Sequence, residues 1–157
     1  NVVNGGTTRQ ESVLNGLRYA RSTGAEWVAD HDAVRPFFSD ATFRKLLDEA
    51  AACGASVPVL PLTETIHRDS RGMIAETPDR SNLVAAQTPQ CFRLALLLES
   101  IERAMREGFS GTDEAGVVAR YGGTVRIVPG DRTNLKITHA DDLEAAERNY
   151  ERWMEAR

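Results

Sequence analysis

Ala29-Asp30-His31-Asp32-Ala33-Val34-Arg35-Pro36-Phe37 marks an abrupt change from apolar chain to polar loop. The apolar residues Trp27-Val28-Ala29 predict the end of a buried strand. Pro36 prevents a smooth continuation into a helix, because it lacks an N–H and restricts the residue before it. Polar residues at the carboxyl end of such a strand lie where open α/β sheets bind their ligands.

Two interpretations of this corner remain open from the residues alone. Asp32 and Arg35 lie three positions apart and suit a ligand that has both hydroxyl groups and phosphate. They equally suit an ordinary strand-to-loop corner with a local ion pair, which is common in proteins.

The composition is that of an ordinary globular protein with one domain, which we expect to span residues 1–157. The chain has 157 residues, 41% of them hydrophobic, and a net charge of −4. This charge argues against partners such as nucleic acids and membrane surfaces, which usually require a basic patch. No apolar run approaches the roughly 18 residues of a membrane span. Cys53 and Cys91 have no metal-ligand spacing, so two reduced thiols in a cytoplasmic protein are expected.

Helices and strands alternate along most of the sequence. Thr8 and Glu11 fit a capping box that begins a first helix ending at Gly24, and Ser39 and Gly54 bound a second. Further helices are predicted to begin near Leu94, after a cap at Thr112 and near Thr138, and strands are predicted over residues 56–61, 124–128 and 134–137. The two prolines in 56–61 indicate an interrupted or edge-like strand. This alternation predicts a mostly parallel sheet covered by helices on both sides.

Residues 62–80 depart from that alternation. Thr63, Thr65 and Ile66 predict one strand, 69–72 a turn, and 73–75 a returning strand. This β-hairpin is polar enough to project as an arm, and an arm could clasp a second subunit. The alternative is a solvated hairpin without a partner.

The loops are rich in cations and hydroxyl groups and lack a Ser-His-Asp set, a zinc-ligand spacing and a Walker lysine. The chain has 17 arginines and only two lysines, Lys45 and Lys136. Lys45 lies on an amphipathic helix, whereas Lys136 lies between Leu135 and Ile137. Arginine and lysine beside threonine suit phosphate binding. These residues alone predict an α/β domain that binds a phosphorylated ligand.

An ordered set of short motifs resembles the 2-C-methyl-D-erythritol 4-phosphate cytidylyltransferases. The motifs are Gly5-Gly6-x-x-Arg9-Gln10-x-Ser12-Val13, His31-Asp32-Ala33-x-Arg35-Pro36, Asp79-Arg80, Gln87-Thr88-Pro89-Gln90, Thr112-Asp113-Glu114-Ala115 and Asn134-x-Lys136-Ile137-Thr138. The resemblance implies a Rossmann-like nucleotidyltransferase fold with a protruding β-hairpin arm, and transfer of a cytidylyl group from CTP to a polyol phosphate.

The resemblance also implies roles for individual residues. It assigns catalysis to Lys136 and Arg80, and cytidine contacts to Gly6, Ser12 and Ala33. It assigns binding of the polyol phosphate to Asp32, Arg35, Thr65, Arg80, Thr88, Thr112 and Lys136. Thr65 and Arg80 would reach the partner's site in a homodimer. Magnesium would be held mainly by the CTP phosphates.

The resemblance leaves alternatives. Its members open with a glycine-rich loop whose arginine and lysine bind the CTP phosphates, and no such loop precedes Asn1. We therefore expect this chain on its own to lack triphosphate binding and activity. The related ribitol-5-phosphate cytidylyltransferases share the chemistry, and a non-catalytic dimerisation or ligand-binding domain could keep the same fold.

Overall fold

The computed structural model describes residues 1–155. Five α-helices follow one another in this part of the chain: α1 (Arg9–Ser22), α2 (Asp40–Cys53), α3 (Leu94–Arg106), α4 (Glu114–Arg120) and α5 (Ala140–Glu155). Seven strands lie between them: β1 (Trp27–Asp30), β2 (Ala55–Pro61), β3 (Arg68–Ser70), β4 (Met73–Glu76), β5 (Val84–Ala86), β6 (Gln90–Arg93) and β7 (Arg126–Pro129).

Local side-chain chemistry sets the bounds of the first two helices, as the sequence predicted. Thr8 Oγ1 accepts from Glu11 N at 3.1 Å, and Glu11 Oε2 accepts from Thr8 N at 3.3 Å, which completes the capping box of α1. Ser39 Oγ accepts from Thr42 N at the start of α2. Gly54 ends α2 with a φ of 102°, a left-handed conformation that favours glycine.

Strand β2 lies at the centre of the main sheet, so the edge-like alternative was wrong, whereas the predicted interruption is present, because residues 57–58 pair with neither β5 nor β6. It pairs antiparallel with β5 and β6 and parallel with β7. Its residues 55–59 are buried. Pro58 is tolerated there because its contact with the bulge uses its carbonyl, which accepts from Gln87 N at 2.8 Å, and not the N–H that proline lacks.

The main sheet is mixed, with the order β1-β6-β2-β5 and β7 beside β2. β1, β2 and β7 point in one direction, and they are the strands that alternate with helices as a parallel set should. β5 and β6 run against them as two parts of one returning segment.

The segment that contains β5 and β6 bulges where it passes β2. Val59 pairs with Ala86, and Ser56 pairs with Cys91. The four residues 87–90 therefore lie opposite the two residues 57–58. The Thr88–Pro89 peptide bond in this bulge is cis. Because a bulge re-aims side chains, this one directs polar groups toward the end of β1.

Helices cover both faces of the sheet. Phe92 belongs to a buried cluster with side chains of α1, α3 and α4, whereas its neighbour Cys91 packs with Leu46 and Ala50 of α2. Successive strand residues point to opposite faces, so these two clusters lie on opposite sides of β6. The predicted two-sided α/β architecture is confirmed.

The β-hairpin consists of β3 and β4, which form a separate two-stranded sheet. Its first strand begins at Arg68, so the prediction of strand structure at Thr63, Thr65 and Ile66 was wrong. Every residue of β3 and β4 is exposed, including Met73 and Ile74, which are 70% and 65% exposed.

Two further predicted features differ in the structure. Residues 134–137 form a loop instead of a strand, because their polar contacts are made with the bulge and with the loop after β1, and not with a neighbouring strand. The residue that caps α4 is Asp113 and not Thr112: Asp113 Oδ1 accepts from Gly116 N at 2.9 Å.

Candidate functional site

One carboxylate joins two cations at the corner after β1. Asp32 Oδ2 accepts from Arg35 Nε and from Lys136 Nζ, both at 3.1 Å. Partial burial alone would raise the pKa of the Asp32 carboxyl, but the bonds from Lys136 and Arg35 outweigh burial and lower that pKa. The local Asp–Arg pair therefore exists, but within a group of three charges whose net charge is positive.

The loop that carries Lys136 is held by the bulge. Gln87 Nε2 donates to the carbonyls of Asp131 and Asn134, at 2.9 and 3.0 Å, and Asn134 Nδ2 donates to the carbonyl of Thr88 at 2.8 Å. Arg35 Nη1 donates to the same Asn134 carbonyl at 2.8 Å. Lys136 thus reaches Asp32 because buried amides position its loop.

The start of α4 is held by the other end of the bulge. Gln90 Nε2 donates to Asp113 Oδ2 at 2.9 Å, and Gln90 Oε1 accepts from Ala115 N at 3.0 Å. Gln90 is 1% exposed. This contact places Thr112 and Asp113 beside the corner after β1.

Arg9, at the start of α1, connects that helix to α4 and β1. It donates from Nη1 and Nη2 to both oxygens of Glu114, at 2.7 and 2.6 Å, and its Nη2 lies 3.5 Å from Asp30 Oδ2. The Glu114 side chain is 1% exposed. The paired guanidinium offsets the cost of burying this carboxylate.

Asp30 shares this guanidinium with Glu114. Burial, the hydrogen bond to the Glu114 carboxyl and the repulsion between the two carboxyls raise the pKa of Asp30 to about 7, and Arg9 only partly opposes them. Asp30 therefore takes up a proton near neutral pH.

These contacts enclose a cleft of about 250 Å³ at the carboxyl end of β1. Its lining consists of Arg9, Asp32, Arg35, Ala86, Gln87, Thr88, Gln90, Thr112, Asp113 and Lys136. The structure thus brings together five predicted site residues, namely Asp32, Arg35, Thr88, Thr112 and Lys136. Sequence reasoning assigned no site role to Arg9, Gln87 and Gln90, although it quoted all three within motifs.

The other predicted site residues do not line this cleft. Thr65 and Arg80 are exposed near the hairpin, where the Arg80 guanidinium donates to the Thr63 carbonyl. Gly6 lies before α1 and Ser12 lies within it, and Gly6 N donates to Ser12 Oγ at 2.9 Å. Ala33 is exposed on the loop after β1.

The fold and the cleft define an α/β protein with a cationic, hydroxyl-lined site at a strand end, which is the arrangement that binds phosphorylated ligands. The model of the IspD family, described as 2-C-methyl-D-erythritol 4-phosphate cytidylyltransferase, matches residues 1–152. The chain belongs to this family.

Individual relatives carry the same description. The enzyme of Bacillus cereus is 42% identical over 145 residues, which are 92% of this chain and 63% of that protein. That of Solibacter usitatus is 44% identical over 149 residues, 92% of this chain and 61% of that protein. The crystal structure of the Thermus thermophilus enzyme superimposes with a TM-score of 0.83 at 38% identity, over 92% of this chain and 70% of that one. The chain thus spans less than two thirds of the length of these curated relatives.

We predict that Asp30→Asn removes a pH dependence of stability. The folded pKa of Asp30 is about 7 against an ordinary 3.8, so the folded state holds the proton more tightly and wild-type stability falls as pH rises from about 4 to 7. Asparagine imitates the neutral carboxyl. The variant should melt at least about 2–4 °C higher than wild type at pH 8, corresponding to about 1 kcal/mol.

Thermal unfolding followed by circular dichroism from pH 4 to pH 8 measures this difference. The difference in melting temperature between variant and wild type should shrink as the pH is lowered toward 4. A gap that stays constant over this range would contradict the assignment of a raised pKa to Asp30.

Proposed function

We propose that the protein carrying this chain transfers a cytidylyl group from CTP to 2-C-methyl-D-erythritol 4-phosphate and releases pyrophosphate, a step of non-mevalonate isoprenoid synthesis. The observation that carries the proposal is the group of Asp32, Arg35 and Lys136 in a hydroxyl-lined cleft. Family membership supports the identity of the two substrates.

The reaction needs positioned charge more than it needs a base. A phosphate monoester has a second pKa of about 6, so its oxygen is largely ionised at neutral pH. This oxygen attacks the α-phosphorus of CTP, a new P–O bond forms, and the bond to the bridging oxygen of the β-phosphate breaks. Pyrophosphate leaves with that electron pair. Catalysis then depends on alignment of two anions and on stabilisation of the transition-state charge.

Lys136 and Arg35 are the groups of the cleft that suit this task. Asp32 orients both cations, and the cluster retains one positive charge for the incoming phosphate. The Lys136 side chain is 44% exposed, so its ammonium can contact a ligand without leaving Asp32. Thr112 is exposed at the cleft rim and supplies a hydroxyl group.

We further propose that the protein is a homodimer clasped by the hairpin. An isolated two-stranded hairpin is only marginally stable in water, and this one exposes Met73 and Ile74. A partner subunit that covers them would account for the arm. Thr65 and Arg80, which lie outside the cleft of their own chain, would then contact the polyol phosphate in the partner's cleft.

The nucleotide and its magnesium ion are assigned on the resemblance. Gly6, Ser12 and Ala33 would contact cytidine. We propose that the CTP phosphates hold Mg²⁺, which offsets charge on the triphosphate when bound. The cleft fits this arrangement because Arg9, Arg35 and Lys136 in its lining suit phosphate oxygens. Within residues 1–155, no group of three or more His, Cys, Asp or Glu could hold a metal ion.

A cytoplasmic location is also part of the proposal. Cys53 and Cys91 are free thiols, which suits a reducing compartment. Over the described residues 1–155, no helix is both long and apolar enough to span a bilayer.

We predict that Lys136→Ala in the full-length protein lowers kcat about 10²- to 10³-fold with little change in the unfolding temperature, because it removes a charge that stabilises the transition state. Release of pyrophosphate from CTP is measured with 2-C-methyl-D-erythritol 4-phosphate, and in parallel with ribitol 5-phosphate. Lys45→Ala is the matched control, since Lys45 is the other lysine and is exposed on α2.

Lys45→Ala should retain wild-type turnover. Equal kcat values for Lys136→Ala and wild type would remove Lys136 from the mechanism. Faster transfer to ribitol 5-phosphate than to the erythritol phosphate by the wild-type protein would contradict the proposed substrate.

The homodimer is tested by a charge on the arm. Ile74→Asp should shift the protein from dimer to monomer in sedimentation velocity, because a buried unpaired carboxylate opposes association. Leu143→Asp places the same charge at a 54% exposed leucine of α5 and should leave the dimer intact. A monomeric wild type, or an Ile74→Asp variant that remains dimeric, would contradict this interface.

A further inference from the structure

His31 lies between two segments of the cleft and has no part in the chemistry proposed above. Its Nδ1 is 2.8 Å from Thr88 Oγ1, and its Nε2 is 2.9 Å from the Arg35 carbonyl oxygen. Its ring packs edge-on against Phe38, with centroids 4.8 Å apart. Both ring nitrogens therefore have polar partners, and the ring itself is held by an aromatic neighbour.

The partners of His31 determine where the hydrogen atoms lie. A carbonyl oxygen only accepts, so Nε2 must carry a proton and donate to Arg35. In a neutral imidazole the other nitrogen, Nδ1, is then an acceptor, and the Thr88 hydroxyl donates to it.

The Thr88 hydroxyl also receives a hydrogen bond from the backbone. Asp32 N donates to Thr88 Oγ1 at 2.9 Å. A hydroxyl group has one proton to donate and two acceptor sites. The hydroxyl proton is donated to His31, and one acceptor site is occupied by the N–H of Asp32. A single acceptor site of Thr88 therefore remains.

We propose that His31 is a positioning residue that makes Thr88 a hydrogen-bond acceptor toward the substrate. Thr88 then binds a hydroxyl group of the polyol, which can donate to it, and not an ionised phosphate oxygen, which can only accept. The phosphate is left to Lys136 and Arg35. This inference rests on the proposed function and adds to it a basis for selecting polyol substrates.

The tautomer of His31 tests the hydrogen-bond arrangement without any assay of activity. Long-range ¹H–¹⁵N NMR spectra distinguish the two neutral tautomers and the imidazolium, and the His31→Gln spectrum assigns the signal. A neutral ring protonated at Nε2, at the pH of the assay, is the expected result. A proton on Nδ1, in either the other tautomer or the imidazolium, would overturn the inference, because Thr88 would then be free to donate to phosphate.

Two variants separate the two contacts of His31. The amide of His31→Gln reaches the position of Nε2 and can donate to the Arg35 carbonyl, but it leaves Thr88 without its acceptor. The amide oxygen of His31→Asn lies near the position of Nδ1 and can accept from Thr88. In the full-length protein, we expect His31→Gln to raise the KM for the polyol phosphate about three- to tenfold, the effect of one hydrogen bond, with the KM for CTP unchanged. His31→Asn should recover most of this loss.

Coupling to Thr88 distinguishes this role from a general structural one. In a Thr88→Val background, which has no hydroxyl to orient, His31→Gln should cause no further rise in the KM for the polyol phosphate. The inference would be overturned if the rises in KM caused by His31→Gln and Thr88→Val multiplied in the double variant. It would also be overturned if His31→Gln and His31→Asn raised the KM for the polyol phosphate equally. A full-length wild-type protein that does not convert the polyol phosphate would instead contradict the proposed function, and the NMR result identifies which of the two has failed.

Discussion

The bulge opposite Val57 and Pro58 is the constraint on which the cleft depends. An unbroken antiparallel ladder would pair residues 87–90 with the central strand and point them alternately into the two apolar clusters. Instead, the four residues 87–90 lie opposite only two residues of β2. Three polar side chains of this bulge hold the surrounding loops. Gln87 fixes the loop before Lys136, Thr88 contacts the corner after β1, and Gln90 fixes the start of α4.

The electrostatics of the cleft follow from two carboxylate-centred groups. Asp32 is shared by two cations and leaves a positive balance at the cleft surface. Below them, Glu114 and Asp30 share one guanidinium, that of Arg9, and Glu114 is buried. The first group can bind an anion, whereas the second joins α1, β1 and α4. In the proposed function, binding and stability therefore depend on different carboxylates that lie close to each other in the fold.

Local signals in the sequence predicted much of the fold. Caps and apolar periodicity fixed α1, α2 and α3, because these features act within one or two helical turns. The position of β2 could not be predicted in this way, since Pro58 is accommodated by a bulge formed by residues some 30 positions later. The same limit applies to Arg9 and Glu114, which are 105 positions apart and have no local pattern that pairs them. Asp32, Arg35 and Lys136 were predicted as site residues, but the amides that position them were not.

The cluster of Asp32, Arg35 and Lys136 is proposed to bind the phosphate of a polyol phosphate. The most direct measurement is a crystal structure of the protein with 2-C-methyl-D-erythritol 4-phosphate. We expect its phosphate oxygens within hydrogen-bond distance, about 2.7–3.2 Å, of Lys136 Nζ and the Arg35 guanidinium. A ligand bound elsewhere on the protein, with the cleft at the end of β1 empty, would contradict this assignment.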